Sequence, residues 1–186
     1  MTINANQMDR VATIAEIVRK AHGPRGRTAL MKGLYFLQEL KKVPLGYSFR
    51  LYTYGPFDAD VLEDLRYAES LGAVSSTVVS YPGGYGYEVK ALECAPQVVA
   101  RGKDFVAAHE HQVQWVVDKF GQKSAADLEI LSTLVYVDHE FRDDRRTADI
   151  SDLIATVHEV KPHHTTERIR REAEWLKAEG MLASID

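Results

Sequence analysis

Residues 47–74 read YSFRLYTYGPFDADVLEDLRYAESLGAV, and the apolar period changes halfway along them. Up to Tyr54 the apolar residues alternate as in a strand; after Phe57 they recur at Val61, Leu62, Leu65, Ala68 and Leu71, the spacing of one helix face. Gly55-Pro56 marks the corner between the two. Proline biases its predecessor away from the α region, the Asp58 carboxylate is short enough to cap free amides, and Gly72 can take the left-handed conformation that closes a helix. The stretch predicts strand, tight corner, helix and stop. Gly55 is expected where the bend leaves no room for a Cβ or requires positive φ.

Working outward from it, Val11, Ile14, Ala15 and Val18, with Ile17 beside them, fall at helical spacing and predict a first helix ending near His22. Gly23-Pro24 and a basic loop, Arg25-Gly26-Arg27, follow. Thr28 is the expected cap of a second helix, in which Leu30, Leu34, Leu37 and Gln38 share a side while Met31, Tyr35 and Phe36 widen the apolar arc, so that it is buried on most sides. Leu34 and Leu65 are expected to meet where the second and third helices pack. Beyond Val74, the β-favouring Thr77, Val78 and Val79, the turn Tyr81-Pro82-Gly83-Gly84 and then Tyr85, Tyr87 and Val89 predict a hairpin. Two helices, a strand, a third helix and a hairpin make a winged-helix-like unit over residues 1–92, with Tyr81 to Tyr85 as the tip of the wing.

Residues 93–186 read as helical. Pro96 to Phe120 is apolar at helical spacing, broken by Gly102 and closed by Gly121. Ser124 to Asp127 resembles a capping box ahead of Leu128, Leu131, Leu134 and Val135. Arg142 to Arg146 is a charged loop. A helix from Asp149 to His158 stops at Pro162, and Thr165 or Thr166 caps a last one carrying Ile169, Ala173 and Leu176. The fold class expected is mostly α with a small β-hairpin, the winged-helix-like amino half packed on the helical carboxyl half as one body.

The chain has 23 basic and 27 acidic residues, a net charge of −4, which argues against holding nucleic acid by bulk electrostatics. Cys94 is the only cysteine, so no intrachain disulfide forms and a reducing, cytoplasmic location is expected. No apolar stretch approaches the roughly 20 residues a bilayer requires, and no export signal is read at the amino end.

Catalytic and metal motifs are weak. His109-Glu110-His111 places its histidines at i and i+2, about 200° apart on a helix, where zinc ligands use i and i+4. His158 and His163 are separated by Pro162. There is no nucleophile elbow, and Gly83-Gly84-Tyr85-Gly86 lacks the spacing of a phosphate loop. No catalytic residue, metal or cofactor is expected, and the histidines are read as solvated.

Binding surfaces carry two readings each. The third helix bears Asp58, Asp60, Glu63, Asp64 and Glu69 against Arg66 alone, a face that repels phosphates. Arg25, Arg27 and Lys32, with Arg19, Lys20, Lys41 and Lys42, could take up nucleic acid or another acidic partner, or could simply be solvated. Tyr52, Tyr54, Phe57, Tyr85 and Tyr87 are either packing aromatics or anchors of a protein interface.

The helix LMKGLYFLQEL, Gly46, and YTYGPF with its helix ending in LGAV resemble the Panacea domain of bacterial SocA-like antitoxins, and are closer still to the related YwgA-like bacterial proteins. The tail HEVKPHHTTERIRREAEWLKAEGML is similar to the carboxyl end of those YwgA-like chains, so the resemblance spans most of residues 10–182. It implies a non-enzymatic protein-binding module of the antitoxin or adaptor type, which neutralises a toxin encoded beside it or delivers a partner to a protease. A homodimer is compatible with this. The alternative is a winged-helix DNA-binding transcriptional regulator acting through Arg25, Arg27 and Lys32.

Overall fold

Asn6 and Asp9 start the first helix, α1 (Gln7–Lys20), by a reciprocal capping box in which each side chain accepts the other's backbone N–H. The computed structural model describes residues 5–21, 23, 25–81, 84–144 and 149–184. Eight successive residues of α1, Val11 to Val18, are buried. The apolar stripe accounts for only part of this. Thr13 is buried because its hydroxyl donates to the Asp9 carbonyl at 2.8 Å, and Glu16 because Arg19 pairs with it at 2.8 Å. The helix is thus enclosed on all sides, and α1 rather than the stretch at 47–74 is the hub of its unit.

The elements that follow are β1 (Arg25–Gly26), α2 (Arg27–Glu39), β2 (Arg50–Tyr52), β3 (Gly55–Phe57), α3 (Ala59–Ser70), β4 (Val74–Tyr81) and β5 (Gly84–Ala91). After them come α4 (Ala95–Arg101), α5 (Lys103–Ala108), α6 (Glu110–Phe120), α7 (Ala125–Asp143), α8 (Ile150–Val160) and α9 (Thr166–Ala178). The protein is mostly helical with a small antiparallel sheet, as its sequence predicts. The sheet runs β1-β5-β4, and β2 pairs with β3 as a separate hairpin.

The chain forms two compact units, one of residues 1–49 and 58–125, the other of residues 50–57 and 126–186. Residue 92, the boundary expected from the sequence, lies inside the first unit. The physical reason is that α1 packs on α4, α5 and α6 as well as on α2 and α3, so the helices beyond 92 complete the same core. Gly102 makes this possible: a Cβ there would sit 2.7 Å from that of Ala12.

Several local expectations change. Arg25-Gly26 is not a loop but a strand pairing with Val89 and Glu88, covering an edge of β5. Gly26 is then the N-cap of α2, and Thr28 lies in its first turn instead of capping it. Leu34 and Leu65 are both buried, yet α2 packs chiefly on α6, α1 and β5 while α3 packs on α1 and β4, so α1 is their shared partner. Gly55-Pro56 is the second strand of a hairpin, with Tyr52 opposite Gly55 and Leu51 opposite Pro56, and the turn falls at Thr53-Tyr54. In the first unit Asp58 caps α3 through the Asp60 N–H and also accepts the Ser48 N–H at 2.5 Å, which ties together the two ends of the segment leading to the hairpin. In the second, α7 continues through Arg142 because Phe141 is buried; the rest of the expected charged loop, Arg145 and Arg146, lies outside the described residues. So do His22, Pro24 and the wing-tip residues Pro82 and Gly83. Thr165 caps α9, accepting from the Arg168 N–H.

Candidate functional site

In the second unit, α7 carries Glu129, Ser132 and Thr133 on one turn. Ser132 and Thr133 donate to the Glu129 carbonyl at 3.2 and 2.7 Å, which hides their polarity and leaves a shallow surface. Gly55 lies on it. Its φ is +84°, and a Cβ would come within 2.9 Å of Ser132 Oγ, 3.2 Å of Thr133 Oγ1 and 3.4 Å of the Glu129 carbonyl. Both conditions expected of Gly55 are therefore met at once. The β2–β3 hairpin is pressed against the helix by its backbone.

Lys161, the C-cap of α8 and only 2% exposed, holds the hairpin from the other end. Its ammonium donates to the Tyr52 carbonyl at 3.0 Å and to the Thr53 carbonyl, and lies 3.3 Å from Glu129 Oε1. A buried ammonium is tolerated only when it is bonded and its charge is countered, and here two backbone carbonyls accept its protons while a carboxylate stands beside it. The turn backbone is thereby fixed while its side chains point away: Tyr52 is 69% and Tyr54 68% exposed. Phe57 is half-buried, its ring 5.9 Å from that of Tyr52.

The loop joining α8 to α9 adds two histidines. His163 Nε2 is 3.2 Å from Glu129 Oε1, and His164 Nε2 is 3.5 Å from Glu129 Oε2. His164 is buried, against the expectation of solvated histidines, and the burial lowers its pKa although Glu129 pulls the other way. The loop is held by His158, whose Nδ1 lies 3.0 Å from the His164 carbonyl; since a carbonyl only accepts, that nitrogen carries the proton. Among the described residues, Glu129, His163 and His164 are the one group of three such side chains whose ligand atoms converge, all within 4.8 Å. His109, by contrast, sits at the break between α5 and α6 and not within one helix with His111, as the sequence predicts, and its Nδ1 faces the Phe105 carbonyl at 2.8 Å.

The first unit holds the remaining candidates. Tyr85 on β5 is 74% exposed, whereas Tyr87 is covered by Arg27, whose guanidinium carbon stands 3.6 Å above the ring centre. Arg25 donates to the Gly121 carbonyl, and burial lowers its pKa. Lys32 is 2% exposed. The three residues of the nucleic-acid alternative are thus engaged in the fold, and Lys32 offers no charge to solvent. The acidic face of α3 is also thinner than its sequence implies. Asp64 is buried, accepting from Arg10 Nε at 2.6 Å, Tyr47 Oη at 2.9 Å and Gln7 Nε2 at 3.2 Å.

The sequence brought Tyr52, Tyr54 and Gly55 into view but not Glu129, Lys161 or His164. A usable signal existed in the density of ionisable residues in HEVKPHH directly after the apolar face of α8, a place where one or more of them has to turn inward. No helix among the described residues is long and apolar enough to cross a membrane. Compared with protein-family models and with curated proteins, the chain matches none.

Proposed function

We propose that this protein is a non-enzymatic protein-binding module of the antitoxin or adaptor type, with a winged-helix-like first unit, acting in the cytoplasm on a partner protein. The observation that carries the reading is the presentation of Tyr52 and Tyr54. Interface energy concentrates in aromatic anchors, and affinity is lost when the segment bearing them must be ordered on binding. Here the anchors are solvated while the backbone beneath them is held by Lys161 and by the contact of Gly55 with α7. That cost is largely met before a partner arrives. Packing alone does not account for two neighbouring tyrosines each about two-thirds exposed. The likeness of Tyr54-Gly55-Pro56 in its setting to the Panacea pattern supports the same class, with a toxin encoded beside it as the first partner to try.

The test is calorimetric titration with the product of the adjacent reading frame at about 150 mM salt. The expected result is tight binding by the wild type and a loss of more than tenfold when Tyr52→Ala and Tyr54→Ala are combined, with unchanged thermal stability because both side chains are solvated. Nanomolar, sequence-selective binding of duplex DNA under the same conditions, with no effect of the tyrosine changes, would instead establish the transcriptional-regulator reading.

A further inference from the structure

We propose that Glu129, His163 and His164 form a binding site for a late first-row divalent cation, zinc being the best fit. The inference is independent of the protein-binding reading, since the metal test needs no partner. It begins with a deficit: Glu129 Oε1 and His164 Nε2 are buried and neither makes a hydrogen bond of acceptable geometry, although each lies within 3.5 Å of an oppositely polar group. Buried polar atoms are rarely left so, and those that are call for a missing partner.

The donor types and their convergence point to a cation. Zinc sits about 2.0–2.1 Å from imidazole nitrogen and about 2.0–2.2 Å from carboxylate oxygen in a tetrahedral site, which puts neighbouring donors about 3.3 Å apart. The ligand atoms, one from each side chain, all lie within 4.8 Å of one another, with His163 Nε2 3.2 Å from Glu129 Oε1 and His164 Nε2 3.5 Å from Glu129 Oε2, so small side-chain rotations bring two imidazoles and one carboxylate oxygen onto a common ion. Two imidazoles and one carboxylate suit zinc, cobalt or nickel and not magnesium or calcium, which prefer all-oxygen shells. His163 is 54% exposed at the side chain, so the ion has a route in and a coordination position facing water. Glu129 is set by α7, and the His158 bond to the His164 carbonyl holds the backbone of the loop that carries the two imidazoles. Lys161 limits the site: its ammonium shares Glu129 Oε1, so affinity is expected to be micromolar and not that of a thiolate cage.

The experiment titrates zinc chloride into the untagged, full-length protein against a chromophoric chelator and follows the thermal midpoint in parallel. One equivalent of zinc should bind and raise the midpoint. His163→Ala, at an exposed position that tolerates truncation, should weaken binding at least tenfold and abolish the thermal shift; Glu129→Gln should weaken it further, with its fold checked by circular dichroism. The combined change of His109→Ala and His111→Ala should leave binding as in the wild type. Wild-type binding no tighter than that of His163→Ala, or a loss produced by the His109/His111 change instead, would overturn the assignment.

Discussion

Asp64 is the residue on which the amino-terminal unit's polar chemistry converges, and its partners set a pH signature. Burial, reinforced by the Asp64 carboxylate, pushes the Tyr47 phenol well above its usual range. A folded-state pKa raised above the unfolded value, about 10, means that the contribution is complete below that pH and is lost as pH rises toward the folded value, where the unfolded chain sheds the proton first. Tyr47→Phe should therefore cost about 1–2 kcal/mol near pH 8, and the difference from wild type should shrink by about pH 11 in urea titrations. A constant difference would show that the phenol's pKa is not raised in the folded state. Gly55→Val should cost more than about 2 kcal/mol, from positive φ and overpacking together. Gly84→Val, with nothing within 4 Å of the new Cβ, is the control and should cost less. Glycine announces such a site in the sequence because only glycine fits it. The density of ionisable residues in HEVKPHH signals that some side chain there turns inward, but which ones do depends on Glu129, which a reading of local periodicity cannot bring to Lys161 and His164.

Among the elements, α1 sustains the first unit, and Gly102 lies directly against it. Gly102→Val should destabilise by about 1–3 kcal/mol through clashes with Ala12 and the backbone of Met8 and Asp9, without added strain in φ, since the backbone there is not in the left-handed region. Leu34→Ala and Leu65→Ala should each cost about 2–5 kcal/mol, and the two effects should add, because the helices that bear them pack chiefly on other elements. A strong coupling between them in a double-mutant cycle would point to a direct contact. Most of the helices were legible from their period, though the second break, at His109 between α5 and α6, was not, and burial of α2 on most sides followed from the width of its apolar arc. The hairpin at Arg50–Phe57 was not, because Gly-Pro reads as a corner, and only pairing with Leu51 and Tyr52 makes it a strand. Strand β1 was missed for the same reason: two residues have no period, and it exists because β5 offers an edge.

For the whole molecule, the disposition of basic side chains decides how it should behave toward polyanions. With Lys32 buried, Arg25 bonded to a carbonyl and Arg27 laid over Tyr87, weak retention on duplex DNA at low salt should vanish near physiological ionic strength, as a gel-shift salt series would show. Arg27→Ala should lower stability by about 0.5–2 kcal/mol rather than alter nucleic-acid affinity. The order of the units along the chain has a further effect, during synthesis. The segment 50–57 belongs with residues 126–186, yet it is made before most of the first unit. On a ribosome adding roughly 5–20 residues per second, it waits on the order of ten seconds for α7 to emerge. Through that interval Tyr52 and Tyr54 hang on a ribbon too short to persist alone, with neither Lys161 nor the Ser132–Thr133 surface yet there to receive it. The nascent protein is thus exposed to chaperones and to mispairing at the very segment proposed to bind its partner, and a chain interrupted before α7 would carry that aromatic loop with nothing to anchor it.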